Sequence, residues 1–358
     1  MPASGRQLAS LTGLRFFAAL AVVMYHLHLY FTPIAENLNL FAYGYTGVSF
    51  FFILSGFVLS WSHRDDASPG TFYWHRIARI WPLHLLTTVL AVFTPTLPRS
   101  SAHEWWTAAF VLSLTQAWVP ASPFLNAFNG VSWSLSCEAF FYLVFPLLHK
   151  RLATSGLAAR TIIVVPTAML LLAISLTSVS SMTTADYLLG TAPLYRLGEF
   201  VLGISLARLI KTGCHLPFGS LQAAILVGIS HVGLLVWTGL NGPVGVLFAN
   251  LIMVPGFLAL IYACTKADLA GRSGLLGSQV LVRLGQWSYA LYLIHELVIR
   301  VARPYADFTG EATVLAAFVI LMSISLSGLL HEFVEKPAER WLRRLRQTYT
   351  WRRQVLHP

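Results

Sequence analysis

Runs of about twenty apolar residues recur from one end of this sequence to the other, the length that crosses a bilayer as a helix. Only 11% of the 358 residues are charged, whereas a soluble domain of this size needs roughly a quarter. The missing charge marks lipid-facing surface rather than an oversized core. Eleven stretches qualify as spans by length and apolarity: 12–31, 45–62, 77–94, 105–119, 131–149, 161–179, 194–210, 221–240, 244–264, 284–301 and 312–333. No polar segment is long enough to form a separate soluble domain, so residues 1–358 read as a single membrane domain.

Cations orient the spans. Arg6, Arg64 with Arg76, His149-Lys150-Arg151 with Arg160, Arg208 with Lys211, Lys266 with Arg272, and the basic tail from about residue 337 all belong on the cytoplasmic side. That pattern is self-consistent only if one stretch fails to cross. The short, Pro-flanked 105–119 is the weakest, and it reads as a re-entrant or interfacial helix on the outer side. The expected fold class is therefore all-α: a polytopic membrane protein of about ten transmembrane helices with both termini cytoplasmic. The net charge of +10 sits in connectors and tail, where it suits anionic lipid head groups, and no nucleic-acid partner is expected. The first apolar run lacks a small-residue cleavage site, so no removable signal peptide is expected. Cys137, Cys214 and Cys264 form neither a metal spacing nor a disulfide framework.

Titratable groups inside the spans are the candidates for chemistry, because removing them from water is costly. Arg15 and His26 lie eleven residues apart in LTGLRFFAALAVVMYHLHLYF, which is three helical turns, so they share a face about 16 Å apart. Arg15 reads as an interface anchor or as part of a cationic mouth, and His26 as a proton acceptor at depth. In FYWHRIARIWP, Arg76 and Arg79 are three apart on one helix face; they suit phosphate binding or ordinary cytoplasmic charge. Glu138, in VSWSLSCEAFFYLVFP, should point inward, either to orient His26, to act as a base, or to bond a neighbouring helix. Ser288, Tyr292 and His295, in LGQWSYALYLIHE, form a polar stripe suited to acceptor binding, proton transfer or structural bonding. Gly47, Ser55 and Gly56 read as close-packing residues, and 331–344 (HEFVEKPAERWLRR) as a surface anchor.

The ordered set LTGLRFFAALAVVMYHLH, GVSFFFILSGFVLS, FYWHRIARIWPLHLL, WSLSCEAFFYLVFPLL, SYALYLIHE and VEKPAERWLRR resembles the membrane-bound acyltransferase 3 family over nearly the whole chain. The resemblance implies transfer of an acyl group, acetyl by default, from acyl-coenzyme A to a hydroxyl. Implied acceptors are an envelope glycan, a glycolipid or a glycosylated small molecule such as a macrolide. It implies His26 and Glu138 as catalytic residues and Arg15, Arg76 and Arg79 as donor-binding residues. It implies acyl-coenzyme A as co-substrate, and no permanently bound cofactor and no metal are expected. It further implies a multi-pass protein of the cell membrane, a bacterial inner membrane. Cys137 and Ala139 stand where the family more often has valine and an acidic residue, and His84 where tyrosine is usual, so neither 139 nor 84 receives a role. The esterase-like extension of some members has no counterpart, and the membrane domain is expected to act alone. The rival class is a proton-coupled transporter or flippase of a glycolipid-like substrate, since buried His and Glu also relay protons.

Overall fold

The computed structural model describes residues 8–31, 36–63, 68–96, 104–216, 219–306 and 312–356; Arg6 and Arg64 lie outside them. The chain runs through helices α1 (Ala9–Tyr30), α2 (Gly47–Ser62), α3 (Pro69–Val92), α4 (Ala108–Leu112), α5 (Ser122–Leu125), α6 (Trp133–Arg151) and α7 (Ser155–Val179). It continues through α8 (Met182–Gly190), α9 (Pro193–Lys211), α10 (Ser220–Val246), α11 (Ala249–Leu269), α12 (Gln279–Ala306) and α13 (Ala312–Leu330). A π-helical turn, His331–Glu335, then leads into α14 (Lys336–Leu356). No strand occurs among the described residues, and the fold is that of an all-α polytopic membrane protein.

Among the described residues, seven helical segments are long and apolar enough to cross a membrane. Helices α3, α9 and α12 have the length (24, 19 and 28 residues) but carry several charged groups. These include Arg76 and Arg79 in α3, Arg196 and Glu199 in α9, and Glu296 and Arg300 in α12. An apolar environment tolerates such groups only where they are turned inward and paired, and these three helices build the interior. Helices α7 and α10 instead turn mostly outward, with 11% and 17% of their apolar windows buried, as lipid-facing helices should.

The stretch 105–119 makes no long helix. It is broken into turns at Trp105–Thr107 and Gln116–Trp118 around the five-residue α4, with Trp105, Trp106 and Trp118 exposed, as interfacial aromatics are. His84, fully buried, ties α3 to this segment through Nε2 and the Val111 carbonyl at 2.9 Å. The expected span 244–264 begins later, at Ala249. Gly242, with φ of 54°, and Pro243 kink the end of α10, so 244–246 form its last turn and 247–248 join it to α11.

Small residues set the closest helix crossings. Helix α2 packs on α9 with Gly56 against the Phe200 carbonyl and Gly203 against that of Ile53; a Cβ at these positions would lie 2.0 and 1.9 Å from the oxygens. Gly47 plays the same part against Ala18, at 2.6 Å. Helix α1 packs on α12, and its first turn is held by Asp268 of α11, which accepts from the Ser10 amide (2.9 Å) and hydroxyl (2.6 Å). A carboxylate at a helix start complements the helix dipole. The tail, expected as a surface anchor, is also tied to the bundle. Helix α14 docks along α3, where Trp74 Nε1 donates to the Leu342 carbonyl (2.8 Å) and Arg346 Nε to Thr71 Oγ1 (3.3 Å).

Gly203→Val forces the α2–α9 backbones apart, because what a new Cβ meets is backbone. The expected outcome is a fall of several degrees in the melting temperature of the detergent-solubilised chain. Gly228→Val, at an exposed α10 position with open space around it, should leave that temperature unchanged.

Candidate functional site

Four helices, α1, α2, α6 and α12, surround two stacked cavities, with α3 closing one and α9 the other. The first, of about 180 Å³, is lined by Arg15, Arg76, Arg79, Glu138, Ser288, Tyr289 and Tyr292 among others. All three expected arginines thus face one chamber, from the starts of α1 and α3. Their circumstances differ. Among the described residues Arg15 and Arg76 have no carboxylate partner, and the Arg76 guanidinium lies over the Phe72 and Tyr142 rings at 5.9 and 5.8 Å. Arg79 is paired with Glu335 and, at 3.3 Å, with Glu339.

The second chamber, of about 380 Å³, lies toward the opposite ends of the same helices. His26, Tyr25, Tyr30, Tyr45, Trp133, Asp186, Arg196, Asn250 and Glu296 are among its lining residues. Inward-facing rings crowd the imidazole: Tyr25 packs edge-on to His26 (centroids 5.1 Å apart), and Tyr30 stacks on it (6.1 Å). Two of its charged neighbours, Glu296 and Arg196, are compensated in place. Glu296 Oε1 accepts from Arg300 Nη2 (2.6 Å) and Nε (3.2 Å), and its Oε2 from the Val131 amide (2.9 Å). Arg196 pairs with Glu199 (2.9 Å) and donates to Ser49 Oγ (3.1 Å).

Hydrogen-bond geometry assigns the tautomer of His26. Nδ1 lies 2.8 Å from the Val22 carbonyl, which only accepts, so Nδ1 carries the hydrogen. The same logic protonates Nδ1 of the fully buried His295, 3.1 Å from the Leu291 carbonyl, and leaves its Nε2 as an acceptor 3.2 Å from His26 Nδ1. His26 Nε2 therefore keeps its lone pair and has no hydrogen-bond partner among the described residues. An imidazole held this way is arranged to take a proton at Nε2 while His295 steadies the resulting cation at Nδ1.

Several sequence expectations change here. Glu138 does not orient His26: it lies in the arginine chamber, where Oε1 accepts from Ser55 Oγ (3.1 Å) and from the Tyr142 hydroxyl. Glu138 and His26 lie at different levels along the bundle, in separate chambers. The orienting partner is His295. Ser288 and Tyr292 do not share that position: Ser288 lines the arginine chamber with a buried hydroxyl that has no hydrogen-bond partner in the described structure. The Tyr292 hydroxyl meets Ser134 Oγ (2.8 Å) and donates to the Val131 carbonyl (2.9 Å). Tyr292 and Val48 line both chambers, so the two cavities are separated only by this shared wall. Ser55, expected only to pack, is part of the site. Cys137 is fully buried, with Sγ against the Thr191 carbonyl (3.3 Å), and lines neither cavity. Among the described residues no three His, Cys, Asp or Glu side chains converge as a metal site requires.

Sequence reasoning passed over Tyr142, Glu296, Arg300, Arg196 and Glu335. The signal was present in spacing. Glu296 and Arg300 are four apart, Arg196 and Glu199 three apart, each pair on one face of an otherwise apolar helix.

Residues 8–332 match a family model described as an acyltransferase domain, that of acyltransferase 3. The chain belongs to the acyltransferase 3 family. It is 37% identical to the acyltransferase MdmB of Streptomyces mycarofaciens over 384 aligned positions, covering 98% of this chain and 96% of that one. It is 26% identical to the O-acetyltransferase OatA of Staphylococcus aureus over 93% of its own length, and spans 57% of that longer protein. No solved structure matches the chain significantly. Within the matched region, Arg15, Arg76, Arg79 and Glu138 line one of two adjoining chambers and His26 the other.

Glu296→Ala leaves Arg300 buried without a counter-charge. Breaking a buried pair from one side costs on the order of 3–5 kcal/mol. Denaturant unfolding of the solubilised chain should register that loss, and the double replacement Glu296→Gln with Arg300→Gln should recover part of it.

Proposed function

We propose that this chain is an integral-membrane O-acyltransferase that moves an acyl group, acetyl by default, from acyl-coenzyme A to a hydroxyl of a sugar-bearing acceptor. The acceptor is an envelope glycan, a glycolipid or a glycosylated small molecule such as a macrolide. The observation that carries the reading is the adjacency of an arginine-lined chamber and a histidine-lined one across the single wall of Val48 and Tyr292. In this reading α1, α2, α3, α6, α7 and α9 to α13 make ten crossings of a bacterial inner membrane, with both termini cytoplasmic. The arginine chamber then opens to the cytoplasm, where acyl-coenzyme A is found.

A coenzyme A thioester is anionic at its nucleotide end and thin along its thioester arm. The unpaired guanidinia of Arg15 and Arg76 suit the phosphates. A cavity of about 180 Å³ fits the arm rather than the nucleotide, which stays at the mouth. On the far side, tyrosine and tryptophan rings offer faces on which a sugar or macrocycle packs. His26 Nε2 takes the proton of the acceptor hydroxyl as its oxygen attacks the thioester carbon. The carbon–sulfur bond breaks, and the thiolate leaves with the proton returned from His26. His295 keeps the imidazole in the right tautomer throughout. Glu138 holds Tyr142 and Ser55 in the wall of the donor chamber and stays outside the proton path.

Removing a general base costs typically 10²- to 10⁴-fold. His26→Ala should therefore lower acyl transfer at least a hundredfold, with undiminished folded protein in the membrane. His295→Ala should lower it about tenfold. Mass spectrometry of the acceptor pool, with coenzyme A thiol release as the paired assay, reads both; turnover retained by His26→Ala overturns the assignment.

A further inference from the structure

Two of the three chamber arginines are unpaired and the third is not. The difference comes from the end of the chain. The π-helical turn His331–Glu335 interrupts the run from α13 into α14, and it brings Glu335, almost fully buried, onto the Arg79 guanidinium. π-turns inside helices occur frequently at functional sites. The other carboxylate oxygen of Glu335 lies 3.1 Å from His331 Nδ1, so both its oxygens are engaged. Glu339, one turn on, reaches Arg79 at 3.3 Å and also pairs with Arg343. From below, the Arg79 guanidinium rests over the Tyr289 ring at 5.7 Å, and the Tyr289 hydroxyl donates to the Ile80 carbonyl, 2.7 Å away. Arg79 thus has two carboxylates and an aromatic face, while Arg76, one turn earlier on α3, has only the Phe72 and Tyr142 rings.

Glu335 and Glu339 lie just past residue 332, where the matched domain ends, within the closing VEKPAERWLRR. We propose that Glu335, supported by Glu339, is a positioning residue that turns Arg79 into a latch between α3 and the C-terminal helix, leaving Arg15 and Arg76 as the cations that meet the donor's anionic groups. The RxxR pair then has divided duties: Arg76 binds, and Arg79 holds the wall of the chamber in register. The charge of Arg79 is already balanced by carboxylates, and a phosphate would have to displace them. The docking contacts of Trp74 with Leu342 and of Thr71 with Arg346 continue the same α3–α14 seam. This inference rests on the reading of the arginine chamber as the donor site.

The test uses the full chain in detergent and coenzyme A as the probe, with affinity measured by titration calorimetry. Arg76→Gln should weaken binding at least tenfold. Arg79→Gln alone should do the same, because it leaves the buried Glu335 carboxylate uncompensated beside an anion site. The double replacement Arg79→Gln with Glu335→Gln removes both charges and should return affinity to within threefold of the unmodified chain. Arg79→Lys, which keeps the ion pair but not the two-pronged guanidinium geometry, should also stay within threefold. If Arg79→Lys and the double variant both lose as much as Arg76→Gln, Arg79 is a phosphate ligand and the latch is overturned. If the double variant does not accumulate as folded protein, Arg79→Lys decides alone. Absence of coenzyme A binding by the unmodified chain overturns the donor reading itself and this division of duties with it, an outcome distinct from a loss confined to the variants.

Discussion

An ion inside a hydrocarbon layer must find a counter-ion, a polar neighbour or a water-filled cavity, and the interior of this bundle follows from that requirement. Every charged group deep in α9 and α12 is answered within one turn of its own helix, Arg196 by Glu199 and Glu296 by Arg300. Arg15 and Arg76 are not answered by any described carboxylate, and both face a cavity. The pairing of some charges and the isolation of others separates scaffold from site. Paired groups belong to the scaffold, and the unpaired arginines are available to a ligand.

Helix packing places those groups. The backbone-to-backbone approach at Gly56 and Gly203 brings α2 against α9, and with it Ser49 against Arg196. The packing of α1 on α12 brings His26 within 3.2 Å of His295 although 269 residues separate them. One polar ladder along α12 serves both cavities: Ser288 and Tyr289 on one side, Tyr292 at the wall, and His295 and Glu296 on the other. A single rigid helix thus fixes the spacing between the two chambers.

Much of this was legible in the sequence. Apolar run length marks the long helices, charge placement singles out 105–119, which forms no long helix, and the eleven-residue spacing of Arg15 and His26 turns both inward, each to its own chamber. What the sequence withheld was how the helices align with one another. Counting along one helix does not fix its level against a neighbour, and Glu138 and His26 fall in different stacked chambers; which helices lie side by side depends on glycine approaches and long-range contacts that periodicity does not encode. The role of Glu335 was hidden for a related reason. Its segment reads as a basic amphipathic tail, and a helix of that composition has the same sequence signature whether it rests on lipid or on protein.

The ion pair of Arg79 with Glu335 joins positions 256 residues apart. At a synthesis rate of roughly 5–20 residues per second, the arginine leaves the ribosome on the order of ten to fifty seconds before its partner exists. During that interval the third long helix carries an unanswered charge in its N-terminal half. Its final seating in the bilayer must then wait for the last part of the polypeptide, so any truncated product of an interrupted message would present a bundle whose entrance was never fastened.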